Sequence, residues 1–244
     1  YHVPHDAPLT SDIETLAKNV STWIKSDSTA GSLAADGMVA LAKAQSPSHG
    51  SDGATATLII PAEACWGEAL DIAAVVQPEL PAVVEAERIQ SVAKVLGPAS
   101  MLLIGKGALT AESRMLAAQV AHKMGCRVSM TTFPARVDSG PGHPVVERLP
   151  YFPEDVLRAM NGVEHLVLVG AEQPVSFFAY PNQDSVLVPE NCTVDRLVGA
   201  HENVTQALKD LCDAVDAIST QPMTYTKASL PVLQGKLSVR AVAN

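Results

Sequence analysis

The chain has 244 residues, of which 47% are hydrophobic and 18% charged, a balance typical of a soluble globular protein. Its formal net charge of −9 argues against nucleic acid as a partner, because polyanion binding requires clustered Lys and Arg. The apolar stretches are too short to span a bilayer, and the first residues show neither the basic region nor the apolar core of a signal peptide. We therefore expect a cytoplasmic protein that does not cross a membrane.

The first part of the chain predicts two helices and a short strand. Residues 12–25 have apolar side chains at helical spacing, with Ser11 or Asp12 placed to cap the helix. A second, Ala-rich helix is expected from about residue 32 to 43. Residues 56–60 read as a strand that Pro61 stops, because proline has no N–H for a strand ladder. This order is typical of the end of an α/β domain.

The second part of the chain alternates strands and helices. A segment punctuated by prolines separates it from the first part and is the candidate linker. The predicted elements that follow are, in order, helix 84–96, strand 101–104, helix 111–124, strand 127–132, helix 153–160, strands 165–169 and 186–188, and helix 204–218. Such alternation with right-handed crossovers predicts a doubly wound parallel sheet in an α/β fold.

Two glycine-containing loops follow strands of this sheet. Gly105, Lys106 and Gly107 come directly after strand 101–104, and Gly170 follows strand 165–169. Ligands bind doubly wound sheets at the carboxyl ends of strands, so these four residues are our candidates for a nucleotide site. Glycine is also what a strand-to-helix turn requires for purely structural reasons, and both interpretations stay open.

Several aromatic and sulfur-containing residues carry weaker signals. Phe177, Phe178 and Tyr180 cluster after the Gly170 loop, and we expect them to pack against a neighbouring domain or subunit more than on a ligand ring. The four cysteines lack the paired spacing of a zinc site or redox dithiol and are expected to be buried, reduced thiols: Cys65, Cys126, Cys192 and Cys212.

Three segments together resemble a known enzyme family. They are residues 2–13 with the core Asp6-Ala-Pro-Leu-Thr-Ser-Asp12, residues 56–66 with Ile-Pro-Ala-Glu after the strand, and residues 165–189 with Val-Gly-Ala-Glu-Gln-Pro-Val. In order and spacing they are similar to the acetolactate-synthase-like enzymes that depend on thiamine diphosphate. The resemblance runs through the whole chain but matches only the middle of the family architecture.

The resemblance implies a domain organisation. Residues 1–68 would be the C-terminal part of a pyrimidine-binding domain, 69–82 a linker, and 83–222 a central Rossmann-like domain. Residues 223–244 would lead towards a missing diphosphate-binding domain. The family's ylid-forming glutamate would lie upstream of residue 1 and its magnesium motif after residue 244, and we find neither motif in the chain. The chain is thus expected to be a fragment that is inactive alone.

The complete enzyme implied by the resemblance is a carboligase or decarboxylase of 2-oxo acids that uses thiamine diphosphate and Mg²⁺ as a homodimer or homotetramer. His2 and His5 would then move protons on the substrate, since imidazole titrates near neutral pH, and Asp6 would orient a histidine or cap a helix. A solvated loop is the simpler interpretation of these residues. No cofactor is expected to bind this fragment tightly, FAD included. The alternative function is a non-catalytic nucleotide- or FAD-binding α/β module.

Overall fold

The structure is a computed structural model that describes residues 2–47, 53–69, 72–199, 201–227, 236 and 238–239. Tyr1, residues 70 and 71 of the expected first linker, and most of the expected linker 223–244 lie outside these residues. None of the described helices is long and apolar enough to cross a lipid bilayer. The described strands form a two-stranded sheet and a five-stranded sheet, both parallel.

The two-stranded sheet lies in the first part of the chain. In order, this part contains helix α1 (Ile13–Lys18), strand β1 (Trp23–Lys25), helix α2 (Leu33–Gln45), strand β2 (Ala56–Leu58) and helix α3 (Ala62–Trp66). Asp12 caps α1 by accepting a hydrogen bond from the backbone N–H of Thr15 at 3.0 Å, as predicted.

The prediction of one helix over residues 12–25 is wrong at its end. The helix stops at Lys18, and Trp23, Ile24 and Lys25 pair in parallel with β2. Aromatic and β-branched side chains favour an extended chain, and the apolar positions continue the helical spacing only by coincidence.

The five-stranded sheet has the strand order β5-β4-β3-β6-β7. Its strands and the helices around it are, in chain order, α4 (Ala86–Val95), β3 (Ser100–Ile104), α5 (Ala111–Met124), β4 (Arg127–Met130), β5 (Glu147–Arg148), α6 (Pro153–Ala159), β6 (His165–Val169), β7 (Thr193–Val198) and α7 (Val204–Ala214). Strand β3 is central: the chain proceeds from it to β4 on one side and later returns to β6 on the other side.

The core of this sheet has two layers, because side chains alternate along each strand. Leu102 and Ile104 of β3 face the layer that contains α4, α5 and α7, while Met101 and Leu103 face the layer that contains α6. All four side chains are at most 3% exposed. Helices on both faces confirm the predicted doubly wound α/β fold.

Two predicted features of this sheet differ in the structure. Residues 186–188 do not form a strand and contribute one antiparallel bridge, between Val186 and Val175. Two of the five strands were not predicted: β5, which has only two residues, and β7, in which Asp195 and Arg196 interrupt the apolar pattern. Since β7 lies at an edge of the sheet, the Arg196 side chain reaches water, whereas Oδ2 of Asp195 is buried 3.7 Å from Nδ1 of His165.

Candidate functional site

A cleft of about 550 Å³ opens at the carboxyl ends of the central strands. Strands β3 and β6 are neighbours, with Ile104 beside Val169, and the chain leaves them at Gly105 and Gly170. Because the strand order reverses between β3 and β6, this is the position where doubly wound sheets bind ligands. The structure thus brings together three of the four residues predicted for a nucleotide site, since Gly105, Lys106 and Gly170 all line the cleft.

The two loop glycines pack backbone against backbone. Gly170 has a φ of 61°, and a Cβ atom on it would lie 2.6 Å from the carbonyl oxygen of Gly105. A Cβ atom on Gly105 would lie 3.0 Å from the carbonyl oxygen of Gly170. Close approach of the two strand ends is therefore sufficient reason for glycine at both positions.

The other two predicted nucleotide-site residues occupy a short 3-10 helix, Lys106–Leu109, directly after β3. Gly107 is buried in this helix, whereas Lys106 is exposed and has a φ of 46°. Lys106 lines both the cleft and a neighbouring cavity of about 380 Å³. Their role in binding a nucleotide stays a prediction.

The cleft has an apolar floor and an aromatic wall. Leu103, Leu149, Val156 and Leu187 form the floor, and each of them is at most 3% exposed. The wall consists of Phe133, Tyr151 and Phe177, whose ring centroids are all 5.5 to 5.8 Å apart. The wall residues come from three separate loops, so their proximity is a property of the fold that the sequence pattern did not indicate.

One charged pair holds the rim of the cleft. Arg196 donates to both carboxylate oxygens of Glu172, at 3.4 and 2.7 Å, and to the carbonyl oxygen of Ala171 at 3.2 Å. This bidentate contact between guanidinium and carboxylate fixes the turn after Gly170 and neutralises the charge of Glu172.

A carboxylate of the protein itself occupies the N-terminus of α5. The Asp138 side chain accepts a hydrogen bond from the N–H of Ala111 at 3.2 Å, and Thr110 caps the N–H of Ser113 at 3.3 Å. Asp138 also forms an ion pair with Arg136 at 3.3 Å. A helix N-terminus attracts anions, so Asp138 takes the position where a bound diphosphate would be expected.

Arg114 is buried beneath this loop and was not singled out from the sequence. Its side chain is 1% exposed and donates to the carbonyl oxygens of Asp138 and, at 3.0 Å, of Pro144. Burial lowers the pKa of this guanidinium. The available signal was an arginine among the small and apolar residues of α5, where a buried cation requires partners.

The predicted catalytic residues lie in the N-terminal loop. His2 and His5 are exposed, with ring centroids 6.1 Å apart, and Asp6 ends a short 3-10 helix, Val3–His5, with a φ of 44°. Asp12 rather than Asp6 caps α1. His2 lines a groove with Glu63 and Trp66, and no residue is shared between the linings of this groove and of the cleft.

The residues that the structure describes do not by themselves form a site for thiamine diphosphate and Mg²⁺. Within these residues no three His, Cys, Asp or Glu side chains are grouped so as to hold a metal ion. Mg²⁺ is bound through carboxylate and carbonyl oxygens together with the phosphates of its substrate or cofactor. We therefore derive no chemical step through this cofactor from the described residues.

The chain is similar in sequence to one part of a known protein. It is 39% identical over 225 residues to a Mycobacterium tuberculosis protein named as a candidate acetolactate synthase large subunit, IlvX. The match covers 91% of the chain but 42% of that relative, so the chain spans less than half of the relative's length. No protein-family model matches the chain.

The fold is similar to solved structures over nearly the whole chain. A candidate thiamin diphosphate-dependent enzyme from Mycobacterium smegmatis gives a TM-score of 0.70 at 25% identity, covering 91% of this chain and 45% of that one. The thiamine diphosphate-dependent 4-hydroxybenzoylformate decarboxylase of Rhodococcus jostii RHA1 gives 0.68 at 16% identity, covering 96% and 47%. At 16% identity, this second similarity supports the fold and nothing further.

Proposed function

Because the chain belongs to the acetolactate-synthase-like, thiamine-diphosphate-dependent enzymes over the part of them that it spans, we propose that it is part of an enzyme that joins or decarboxylates 2-oxo acids. The sequence match over 225 residues carries this proposal, because a match of that length includes residues of both sheets. The complete enzyme uses thiamine diphosphate and Mg²⁺ and works as a homodimer or homotetramer.

The proposed domain organisation follows the two sheets. Residues 1–68, with the two-stranded sheet, are the C-terminal part of a pyrimidine-binding domain, and residues 83–222, with the five-stranded sheet, are the central domain. Residues 69–82 and 223–244 are linkers. The glutamate of the family belongs to the N-terminal part of the pyrimidine-binding domain, and the magnesium motif belongs to the diphosphate-binding domain. We place the enzyme in the cytoplasm, which agrees with four cysteines that form no disulfide.

In the complete enzyme, His2 and His5 accept and donate protons at their imidazole nitrogens, and Asp6 helps to orient them. Their exposure and the 6.1 Å between their ring centroids support this role, because a substrate reaches both rings from solvent. The groove beside His2 also contains the side chain of Glu63, which lies in the first turn of α3.

The test uses protein expressed with the coding sequence that flanks this chain on both sides. That protein should bind thiamine diphosphate and Mg²⁺ in a calorimetric titration, and it should consume pyruvate, which serves as the probe 2-oxo acid. The 244-residue chain should not bind thiamine diphosphate or Mg²⁺ tightly. His2→Gln or His5→Gln should lower kcat about 100-fold with cofactor affinity unchanged. His122→Gln, an exposed histidine of α5, is the control. Absence of thiamine diphosphate binding by the longer protein would refute the proposal.

A second candidate function is a non-catalytic module that binds a nucleotide or FAD. The location of the cleft between β3 and β6 favours a small ligand. The Asp138 carboxylate at the N-terminus of α5 counts against a diphosphate there. Flavin absorbance in the purified protein, with no response to thiamine diphosphate, would favour this function over the first.

A further inference from the structure

Most of the aromatic side chains of this protein lie together around the cleft. Although aromatic residues make up 4% of the chain, all four of its phenylalanines and two of its four tyrosines form one series of ring contacts with centroids 4.7 to 6.4 Å apart. These six residues, which we call the aromatic patch, are Phe133, Tyr151, Phe152, Phe177, Phe178 and Tyr180.

The aromatic patch is exposed where it borders the cleft. Phe133 and Phe177 are 62% and 59% exposed, yet both rings face a concave surface whose floor is fully apolar. A flat ring inserted beside them would remove apolar surface from water and gain edge-to-face and offset contacts with the wall. The volume of about 550 Å³ is within the ordinary range for a small-molecule pocket.

The charges around the cleft do not suit a dinucleotide. The carboxylate of Glu172 is bound by Arg196, and Asp138 places a negative charge at the N-terminus of α5. The chain leaves β4 as Thr131, Thr132 and Phe133, so no acidic side chain stands at the strand end where a ribose hydroxyl is usually bound. The helix N-terminus that usually binds a diphosphate is thus occupied by Asp138, and the acidic residue that usually binds a ribose is replaced by Thr131 and Thr132. Lys106 lines the cleft as a cation, and three aromatic rings line it beside this side chain.

We propose that the cleft between β3 and β6 is a binding site for an uncharged, planar aromatic compound, and that Asp138, which lines the neighbouring cavity at the N-terminus of α5, excludes dinucleotides by keeping their diphosphate out of that cavity. The aromatic wall holds the ring and the apolar floor excludes water from it. This proposal does not depend on thiamine diphosphate, and the experiments that test it contain none, so its failure is distinct from failure of the proposed enzyme function.

The first experiment titrates the purified 244-residue chain with N-phenyl-1-naphthylamine, an uncharged aromatic probe whose fluorescence rises in an apolar site. We expect saturable binding of one probe per chain. Phe177→Ala removes a wall residue and should raise Kd at least about five-fold. Phe152→Ala is the matched control, because Phe152 is 56% exposed and belongs to the patch but does not line the cleft. Its Kd should change less than two-fold.

Equal effects of these two substitutions, or binding that does not saturate, would overturn the proposal, since the probe would then bind the exposed patch and not the cleft. A circular dichroism spectrum and an unfolding curve of each variant show that the fold is retained. Both substitutions remove the same side chain at similar exposure, so a general loss of surface apolarity affects them equally.

The second experiment tests exclusion of dinucleotides through Asp138. ADP and FAD should not displace the probe from the wild-type chain, whereas Asp138→Asn should gain affinity for ADP of at least about five-fold. The asparagine variant is expected to fold, because Arg114 contacts the backbone carbonyl of Asp138 and not its side chain. Displacement of the probe from wild-type protein by ADP or FAD would overturn the proposal, as would an Asp138→Asn variant that binds ADP no better.

Discussion

The backbone of Gly170 packs directly on the backbone of Gly105, so that a Cβ atom on Gly170 would lie 2.6 Å from the Gly105 carbonyl oxygen. The N–H of Gly105 also donates to the carbonyl oxygen of Val169 at 3.0 Å. This contact joins the carboxyl ends of β3 and β6 at the base of the cleft. The spacing of the two strand ends, and with it the shape of the cleft, depends on the lack of a side chain at both positions.

Replacing Gly170 by alanine is expected to destabilise the protein by at least about 2 kcal/mol. The added Cβ would overlap a backbone oxygen, and the φ of 61° is itself unfavourable for a residue with a side chain. Urea unfolding followed by circular dichroism measures the change. Gly97→Ala is the control, since its Cβ would meet no atom within 4 Å, and its effect should stay below about 0.5 kcal/mol. Similar stabilities for the two variants would contradict the packing argument.

The features that could be predicted from the sequence depend on local patterns. Helix α5 and strand β6 have the predicted bounds, because Thr110 and Gly125 cap the helix and residues 165–169 form a continuous apolar run. Strands β5 and β7 and the end of α1 were missed, because pairing with distant strands formed them against the local sequence pattern.

The aromatic patch could not be read from the sequence, because its members come from segments around residues 133, 151 and 178 that meet only in the fold. The contact of Arg114 with the carbonyl of Asp138 similarly joins residues 24 positions apart. The family resemblance indicated the type of protein but not these contacts, because Phe133, Tyr151, Arg114 and Asp138 all lie outside the resembling segments.

Arg114→Met is expected to destabilise the protein by about 2–4 kcal/mol. Methionine fills a similar volume but leaves the buried carbonyls of Asp138 and Pro144 without their donor, at about 1–3 kcal/mol each. Residues 133–150 should also be cleaved faster by trypsin in the native state, because this donor holds their loop. Mass spectrometry of the early fragments locates the cleavage.

The control for this loop is Arg136→Met, which removes the same charge from a side chain that is 87% exposed. Its stability should remain within about 0.5 kcal/mol of wild type. If both substitutions had the same small effect, the hydrogen bonds of Arg114 would not be what holds the loop.

Asp36 in α2 should make the fold sensitive to acid. The hydroxyls of Ser28 and Ser32, each 2.8 Å from Oδ2, hold the pKa of this carboxyl below its ordinary value, and Lys25 adds an ion pair at 3.2 Å. A lowered pKa in the folded state means that the stabilisation is fully present above about pH 4 and is lost as the pH falls through the folded-state pKa.

Asp36→Asn tests this dependence. The variant should be less stable than wild type at pH 7, and the difference should shrink as the pH is lowered below about 4, because wild type then loses the charge that the variant never has. Thermal unfolding between pH 7 and pH 2.5 gives both curves. Asp155→Asn, on the exposed surface of α6, is the control and should give a difference that is small at every pH. A constant difference between wild type and Asp36→Asn would contradict the assigned role.

Thiol labelling should separate the cysteines by exposure. The expectation that all four are buried is wrong for Cys65, which is exposed on α3, and Cys192 is only partly buried. Burial raises the pKa of Cys126 and of Cys212 to about 11, so roughly one molecule in a thousand carries either thiolate at pH 8. One cysteine should therefore react rapidly with Ellman's reagent at pH 8, and Cys65→Ser should abolish that phase.

The slow phases of thiol labelling report how often the fold opens, and not how reactive the buried thiols are. Cys212 is in the core, where its Sγ donates to the carbonyl oxygen of Leu116 at 3.4 Å, so it reacts only when α5 and α7 separate. Its labelling rate in native buffer should rise in Gly170→Ala exponentially with the loss of stability, roughly 30-fold for a loss of about 2 kcal/mol, whereas the rate of Cys65 should not change. An unchanged Cys212 phase in that variant would contradict this assignment, since Cys212 packs in the core of the five-stranded sheet whose strand ends Gly170 joins.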